Sequence, residues 1–336
     1  MATRAGAGGG GVTRGFVLGK FMPPHAGHML LCETASALVD KLTILVCWLP
    51  DDPIPGALRL EWMRTLFPHA DVVGHGAVVP QSPEEHPNFW PIWTGIVKSV
   101  QPDPIDYVFA SEDYGEKLAE GLGARFVPVD PGREAMPISA SMIRDDPWAH
   151  WRHIPAPVRP YYAARITLHG PESTGKSTLV SQLAQHFDTL MMPEYGRIWC
   201  ERYGTELTMD DLLTIARTHD IMTRSLLAKC NRRLIVDTDP LMTAAWAEML
   251  LGRSDPWFEA WSEPADLYLL LDTDLPWKDD GTRLFGEATA RQRFLDISRD
   301  QLERRGLRYA VVGGVGDARL ANALAAIDAA GLGKRY

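Results

Sequence analysis

Four cysteines in 336 residues, Cys32, Cys47, Cys200 and Cys230, are too few and too scattered for a disulfide framework, and no CxxC or zinc-ligand spacing joins them. They read as reduced, mostly buried thiols of a cytoplasmic protein. Basic excess is also absent: the formal net charge is −9 and the pI about 5.6, so the electrostatic footprint of a nucleic-acid partner is missing. So acidic a chain binds anions through local devices, namely helix N-termini and a few placed cations. No apolar run approaches the ~20 residues that spanning a bilayer requires, which excludes a membrane partner of that kind. The Gly/Ala-rich opening, 1–13, lacks the apolar core of a signal peptide and reads as a disordered tail on a soluble protein. Internal repeats are lacking.

What is present alternates. Short apolar runs at Phe16–Leu18, Leu42–Trp48, Asp71–Gly74, Asp106–Ala110 and Arg125–Val129 predict strands, and helices are expected near 27–38, 58–66, 88–100 and 113–121. After Arg144 a stretch rich in proline and aromatics interrupts the pattern, placing a join near 155–164. The alternation then restarts, with strands at 165–170, 233–237 and 266–272 and helices at 176–187, 208–230, 241–250, 287–305 and 318–329. Continuous rather than alternating apolar strands indicate parallel sheets covered on both faces. The expectation is therefore an α/β chain of two doubly wound domains, 14–158 and 159–336.

In the second half, GPESTGKST (Gly170–Thr178) matches the phosphate-binding loop G-x-x-x-x-G-K-[ST], between a predicted strand and a predicted helix. Gly170 and Gly175 let the backbone curl so that N–H groups of Glu172, Ser173, Thr174 and their neighbours face a phosphate. Lys176 supplies a cation for the β/γ-phosphates of ATP, and Ser177, followed by Thr178, a hydroxyl for Mg²⁺. The strand ending in Asp237, with Asp239 two residues on, offers a carboxylate for Mg²⁺ or for a substrate hydroxyl proton. Taken alone, a cap for the next helix explains such an aspartate equally well, and the phosphate-binding loop upstream favours the functional reading. Glu194 and Arg197, three apart, are either site residues or a solvated ion pair. Arg283, in the polar segment 275–286, is the candidate cation of a mobile flap. Arg291 and Arg293, on the helix that follows, suit surface ion pairs.

In the first half, GKFMPPHAGH (Gly19–His28) contains H-x-G-H after a strand and before a helix. His25 and His28 can donate hydrogen bonds to a phosphate, Gly27 permits its close approach, and Lys20 adds a charge, with Gly19 and Phe21 in the same loop. At the other end of the domain, Ser139 and Ser141 can cap a helix while facing an anion, and Arg144 lies one turn on. Ser111 follows a strand at its carboxyl end, where open α/β sheets bind ligands. Trp48, Trp90 and Trp93 are either core aromatics or a stacking surface.

Taken in order, GKFMPPHAGH, SEDYG, ISASMIR, GPESTGKST, PEYGR, VDTD and PWKDDGTR resemble the NadR family over nearly the whole chain. The resemblance implies a Rossmann-like nucleotidyltransferase domain followed by a P-loop kinase domain, acting in NAD salvage. The second domain would phosphorylate ribosylnicotinamide to NMN. The first would join NMN to the AMP part of ATP, giving NAD and pyrophosphate, with Mg²⁺ and ATP in both reactions. It also implies that His25 and His28 stabilise adenylyl transfer and that Ser139, Ser141 and Arg144 hold ATP phosphates. Ser141 stands where the family has Thr, and the hydroxyl is kept. Some members carry an N-terminal helix-turn-helix domain; the thirteen residues before the first strand do not provide one. Another nucleotidyl acceptor, or a first domain that only senses NAD or NMN, stays open, as does a homo-oligomer.

Overall fold

The computed structural model describes residues 11–278 and 284–333. Most of the expected tail, and Arg283 with it, lie outside the described residues. The chain divides into two compact units after Val158.

The first unit runs β1 (Arg14–Gly19), α1 (Ala26–Leu38), β2 (Lys41–Cys47), α2 (Gly56–Leu66), β3 (Asp71–His75), α3 (Phe89–Val100), β4 (Tyr107–Ala110), α4 (Tyr114–Leu122), β5 (Arg125–Pro128) and α5 (Ala140–Asp145). Its strands are all parallel, in the order β3-β2-β1-β4-β5. Strand β2 shows why its sequence is a continuous apolar run. Ile44 and Val46 pack with Leu31, Cys32 and Met63 under α1 and α2, while Leu45 and Cys47 pack with Trp93, Val97 and Leu118 under α3 and α4. Successive side chains point to opposite layers, and both layers are apolar.

Trp48, Trp90 and Trp93 all make packing contacts within the unit, Trp48 and Trp90 while only partly buried. Trp93 is buried, its indole N–H donating to the Pro80 carbonyl at 3.0 Å, and Trp90 stands edge-on to Phe89. Trp48 lies over Gly56, Gly74 and Gly76, where an added Cβ would come within 2.1, 2.5 and 2.4 Å of its indole.

The second unit runs α6 (Arg159–Tyr162), β6 (Ala164–His169), α7 (Lys176–His186), β7 (Met191–Met192), α8 (Tyr195–Tyr203), α9 (Met209–Leu227), β8 (Arg233–Asp237), α10 (Pro240–Leu251), α11 (Pro256–Ala260), β9 (Leu267–Leu271), α12 (Ala288–Arg304), β10 (Tyr309–Val312) and α13 (Asp317–Ala329). All five strands are parallel, in the order β10-β9-β6-β8-β7. Ile166, Leu168, Ile235 and Leu269 form a core with α7 and α13, and the opposite face packs on α9 to α12. Helix α9 starts with a reciprocal capping box, Thr208 with Asp211.

The fold class is the one expected: two parallel five-stranded sheets with helices between the strands. The two edge strands escaped the reading. In β10 only Val312 is buried, and β7 has two residues, so neither makes an apolar run. In each unit the strand before the loop expected to bind phosphate is central, and chain order reverses beside it. That is where open α/β sheets leave a crevice at their carboxyl ends. Among the described residues no helix is long and apolar enough to cross a membrane.

Candidate active sites

In the second unit the loop after β6 wraps the start of α7. Gly170 (φ +134°) passes so close to β9 that a Cβ there would sit 2.8 Å from the Leu271 carbonyl, and Gly175 (φ +80°) forms the N-cap of α7. Both positions need glycine. Arg319, buried on α13, braces the loop from behind by donating to the Thr174 carbonyl and pairing with Asp274. The loop opens onto a cavity of about 490 Å³. One end is polar: Glu172, Ser173, Thr174, Gly175, Lys176, Ser177, Thr178, Glu194, Arg197 and Asp237 all line it. The other end is apolar, with Leu207, Leu212, Ile215, Met242 and Trp246. This size and lining suit a small organic ligand with one charged end.

Lys176 Nζ donates to the carbonyls of Gly170 and Pro171, at 2.9 and 3.0 Å, so its ammonium is already held at the loop. Asp237 is 1% exposed, and its Oδ1 has no hydrogen-bond partner among the described residues. Burial first, then the nearby Glu194 carboxylate, push its pKa up to about 6 against the pull of Lys176 and the Ser177 hydroxyl. Glu194 is the N-cap of α8, and its carboxylate lies 4.0 Å from Arg197.

Asp239 departs from its expected place. It does not line the cavity. Its carboxylate caps α10 by accepting from Leu241 and Met242 N–H, and it also meets His169 Nε2 and the Tyr268 hydroxyl, each at 2.8 Å. These partners hold its pKa low although burial opposes them. Arg291 departs as well. Rather than a surface ion pair, it is buried and donates to the Leu275 carbonyl. His219, Trp246 and Arg319 were missed, since an isolated His, Trp or Arg on a helix carries no spacing signal.

In the first unit a smaller cavity, about 100 Å³, lies where the carboxyl ends of β1 and β4 meet the start of α1. Gly19, Phe21, His25, Gly27, His28 and Ser111 line it, together with Tyr114, Asp130 and Arg133. His25 is the N-cap of α1, its Nδ1 accepting from Gly27 N–H at 3.1 Å. That bond leaves the proton on Nε2. The His28 ring stands against it, with centroids 3.8 Å apart. Burial, then Arg133 and His153, lower the His25 pKa to about 4. Burial and the neighbouring His25 and Arg133 charges also hold His28 well below the usual value, although the Pro23 carbonyl opposes them. Both imidazoles are neutral donors at pH 7.

Lys20, Ser139, Ser141 and Arg144 do not line this cavity. Ser139 caps α5, accepting from Met142 N–H, and bonds Ser141 Oγ at 2.9 Å. Arg144 donates to the Met22 carbonyl, tying α5 to the histidine loop. Lys20 faces Asp52 at 3.7 Å. Behind it the fully buried Arg59, which the sequence did not single out, donates to the Lys20 and Cys47 carbonyls and to Asp52.

Comparison with known proteins fits this geometry. The chain is 32% identical over 324 residues to the trifunctional NAD biosynthesis/regulator protein NadR of Escherichia coli K12, covering 88% of this chain and 78% of that one. The chain belongs to the NadR family. The NadR protein of Salmonella typhimurium is 30% identical, over 88% of this chain and 77% of its own. A nicotinamide-nucleotide adenylyltransferase of Haloarcula marismortui is 30% identical over 144 residues, 40% of this chain and 73% of that one. A family model described as AAA domain matches residues 165–319. The fold matches crystal structures of NadR protein, one in complex with NAD and AMP-PNP (TM-score 0.77) and one with NR (0.78). Each is 22% identical and covers 95% of this chain and 96% of that one.

Proposed function

We propose that this NadR-family chain is a bifunctional transferase of NAD biosynthesis. Its second unit phosphorylates the 5′-hydroxyl of ribosylnicotinamide to give NMN and ADP. Its first unit joins NMN to the AMP part of ATP, giving NAD and pyrophosphate. The observation that carries the reading is that each sheet has its own cavity at its carboxyl end, lined by Lys176 in one unit and by the His25/His28 pair in the other.

Phosphoryl transfer asks a protein mainly to position and to neutralise charge. Backbone N–H groups of the 170–177 loop and the N-terminus of α7 receive the phosphates, and Lys176 turns from its carbonyls to them. The acceptor nucleoside carries a cationic pyridinium ring, which suits a cavity with the carboxyl groups of Glu172, Glu194 and Asp237 and the Trp246 face. Among the described residues no cluster of three or more His, Cys, Asp or Glu could hold a metal by itself. Mg²⁺ does fit Ser177 with the unpartnered Oδ1 of Asp237, since this ion takes one or two protein oxygens and completes its shell with phosphate and water. Bound there, it would neutralise charge on the β/γ-phosphates. Asp237 and Glu194 divide metal holding and acceptance of the hydroxyl proton between them.

For adenylyl transfer, charge grows on the α-phosphate oxygens. Neutral His25, with its proton on Nε2, donates to them without having to gain a proton. Arg144 ties α5 to the histidine loop, and with the Ser139 and Ser141 hydroxyls at the start of that helix it would receive the remaining phosphates.

The test is incubation of the purified chain with ribosylnicotinamide and Mg·ATP alone, with NMN, NAD, ADP and pyrophosphate followed by chromatography. NAD with both ADP and pyrophosphate is expected. NMN and ADP without NAD would confine the chemistry to the second unit, and no phosphorylated nucleoside would overturn the kinase reading.

A further inference from the structure

A carboxylate in a phosphate-binding loop needs a reason, because its charge repels the anion that the loop receives. Glu172 is such a group, third in Gly170–Ser177 and part of the cavity lining. Its carboxylate accepts from the backbone N–H of Leu284 at 3.1 and 3.0 Å through its two oxygens, and from Phe285 N–H at 2.9 Å. Next to it, Ser173 Oγ accepts from Lys278 N–H at 3.0 Å and donates to the Lys278 carbonyl at 3.2 Å. The chain that Glu172 receives has a task in the cavity. Leu284 lines it, and the Phe285 ring stacks on Trp246, with centroids 5.6 Å apart and planes at 28°. Trp246 is in turn backed by Phe294 of α12, edge-on at 4.9 Å.

We propose that Glu172 is a positioning residue for the acceptor rather than a phosphate ligand: it fastens Leu284 and Phe285 to the phosphate loop and so sets the aromatic wall against which the acceptor nucleoside lies. The proposal rests on the kinase reading of this cavity for the identity of the acceptor, but not for the contact itself. The physical basis is direct. Backbone N–H groups aimed at one carboxylate are charge-assisted bonds, and Glu172, two residues after the loop's first glycine, receives those of both Leu284 and Phe285. Burial first, and the Glu194 charge, hold the Glu172 carboxyl above its usual range, although the Phe285 and Leu284 N–H groups and Lys176 pull it down. The tie begins on the phosphate loop and ends on the aromatic wall, so these hydrogen bonds and the Phe285–Trp246 stack link the two halves of the cavity.

The experiment uses the full-length chain and the variants E172A, E172Q, F285A and E172A/F285A. In E172A the KM for ribosylnicotinamide is expected to rise about tenfold, the size of one hydrogen bond to a charged group, with the KM for ATP within about twofold. E172Q keeps an acceptor oxygen and should recover part of the loss. The double variant should be no worse than the poorer single one, since both break the same connection. A KM for ATP that rises in step with that for the nucleoside, or additive losses, would overturn the assignment. Hydrogen–deuterium exchange without substrate separates this from the kinase reading. The Leu284 and Phe285 amides should exchange faster in E172A than in the unsubstituted chain, and equal rates would sink the proposal whatever nucleoside the enzyme takes. If the exchange differs but ribosylnicotinamide is not phosphorylated, the positioning role stands and the acceptor named above is wrong.

Discussion

Asp237 and Asp239 are two residues apart and chemically identical, yet the structure gives them opposite surroundings. Asp237 is buried with an oxygen that no described group satisfies, and Asp239 is buried with every oxygen engaged. Their substitutions should therefore separate. Asp237→Asn is expected to lower kcat of nucleoside phosphorylation by a factor of about 100 or more, and Glu194→Gln to lower it as well. The same Asp237→Asn change should raise the melting temperature in metal-free buffer above pH 6. The sign follows from the raised pKa. The folded carboxyl keeps its proton to about pH 6, against ~3.9 when unfolded, so the native state carries a growing penalty between those values and the full penalty above them. Below about pH 4 the two proteins should melt alike. A lower melting temperature for the variant at pH 7.5 would mean that the ionised carboxylate is satisfied after all. His25 leads to a different pH profile. With its pKa near 4, wild-type adenylyl transfer should show no inflection from this group between pH 5.5 and 8. His25→Ala should cost ~10²–10³ in rate, as loss of one transition-state donor does.

Among the elements, α10 is anchored through a single carboxylate at its start. Asp239 caps its first turn and anchors His169 of β6 and Tyr268 of β9, so one carboxylate joins a helix to two strands. Asp239→Ala should lower the unfolding free energy by about 2–4 kcal/mol, measured by urea titration, because it strands buried polar partners. The elements that carry the sites were the legible ones. Apolar strands such as β2 and β8 announce themselves by composition, and glycines punctuate the phosphate loop. His25 and His28 could be found because a cap, a glycine and a second histidine fall within four residues. Arg59, Arg133, Arg319 and Trp246 could not, because each reaches its site through tertiary packing alone. Asp239 was misplaced for a related reason: a carboxylate after a strand reads the same whether it faces a cavity or caps a helix. Edge strand β10, mostly unburied, lacked even the apolar signal.

At the scale of the whole molecule, each unit has its own parallel sheet, its own core and its own cavity. Chain fragments 11–158 and 159–336 are each long enough to bury a core, and each should fold alone. Assayed separately, the second fragment should phosphorylate ribosylnicotinamide and the first should convert NMN to NAD. Mixed in solution they should give NAD from the nucleoside. A first fragment that folds by circular dichroism but leaves NMN unchanged would reduce it to a binding unit. Chelation of divalent metal should stop both reactions and leave both folds intact, since no described cluster of side chains depends on a metal.

The bond from Arg144 to the Met22 carbonyl spans 122 positions of the chain, which matters for a protein made from one end. A ribosome adding roughly 5–20 residues per second reaches the histidine loop early and α5 only several seconds later. Until α5 has left the exit tunnel, the histidine loop lacks the Arg144 bond that ties it to that helix. This contact can close only once nearly all of the first unit has been made.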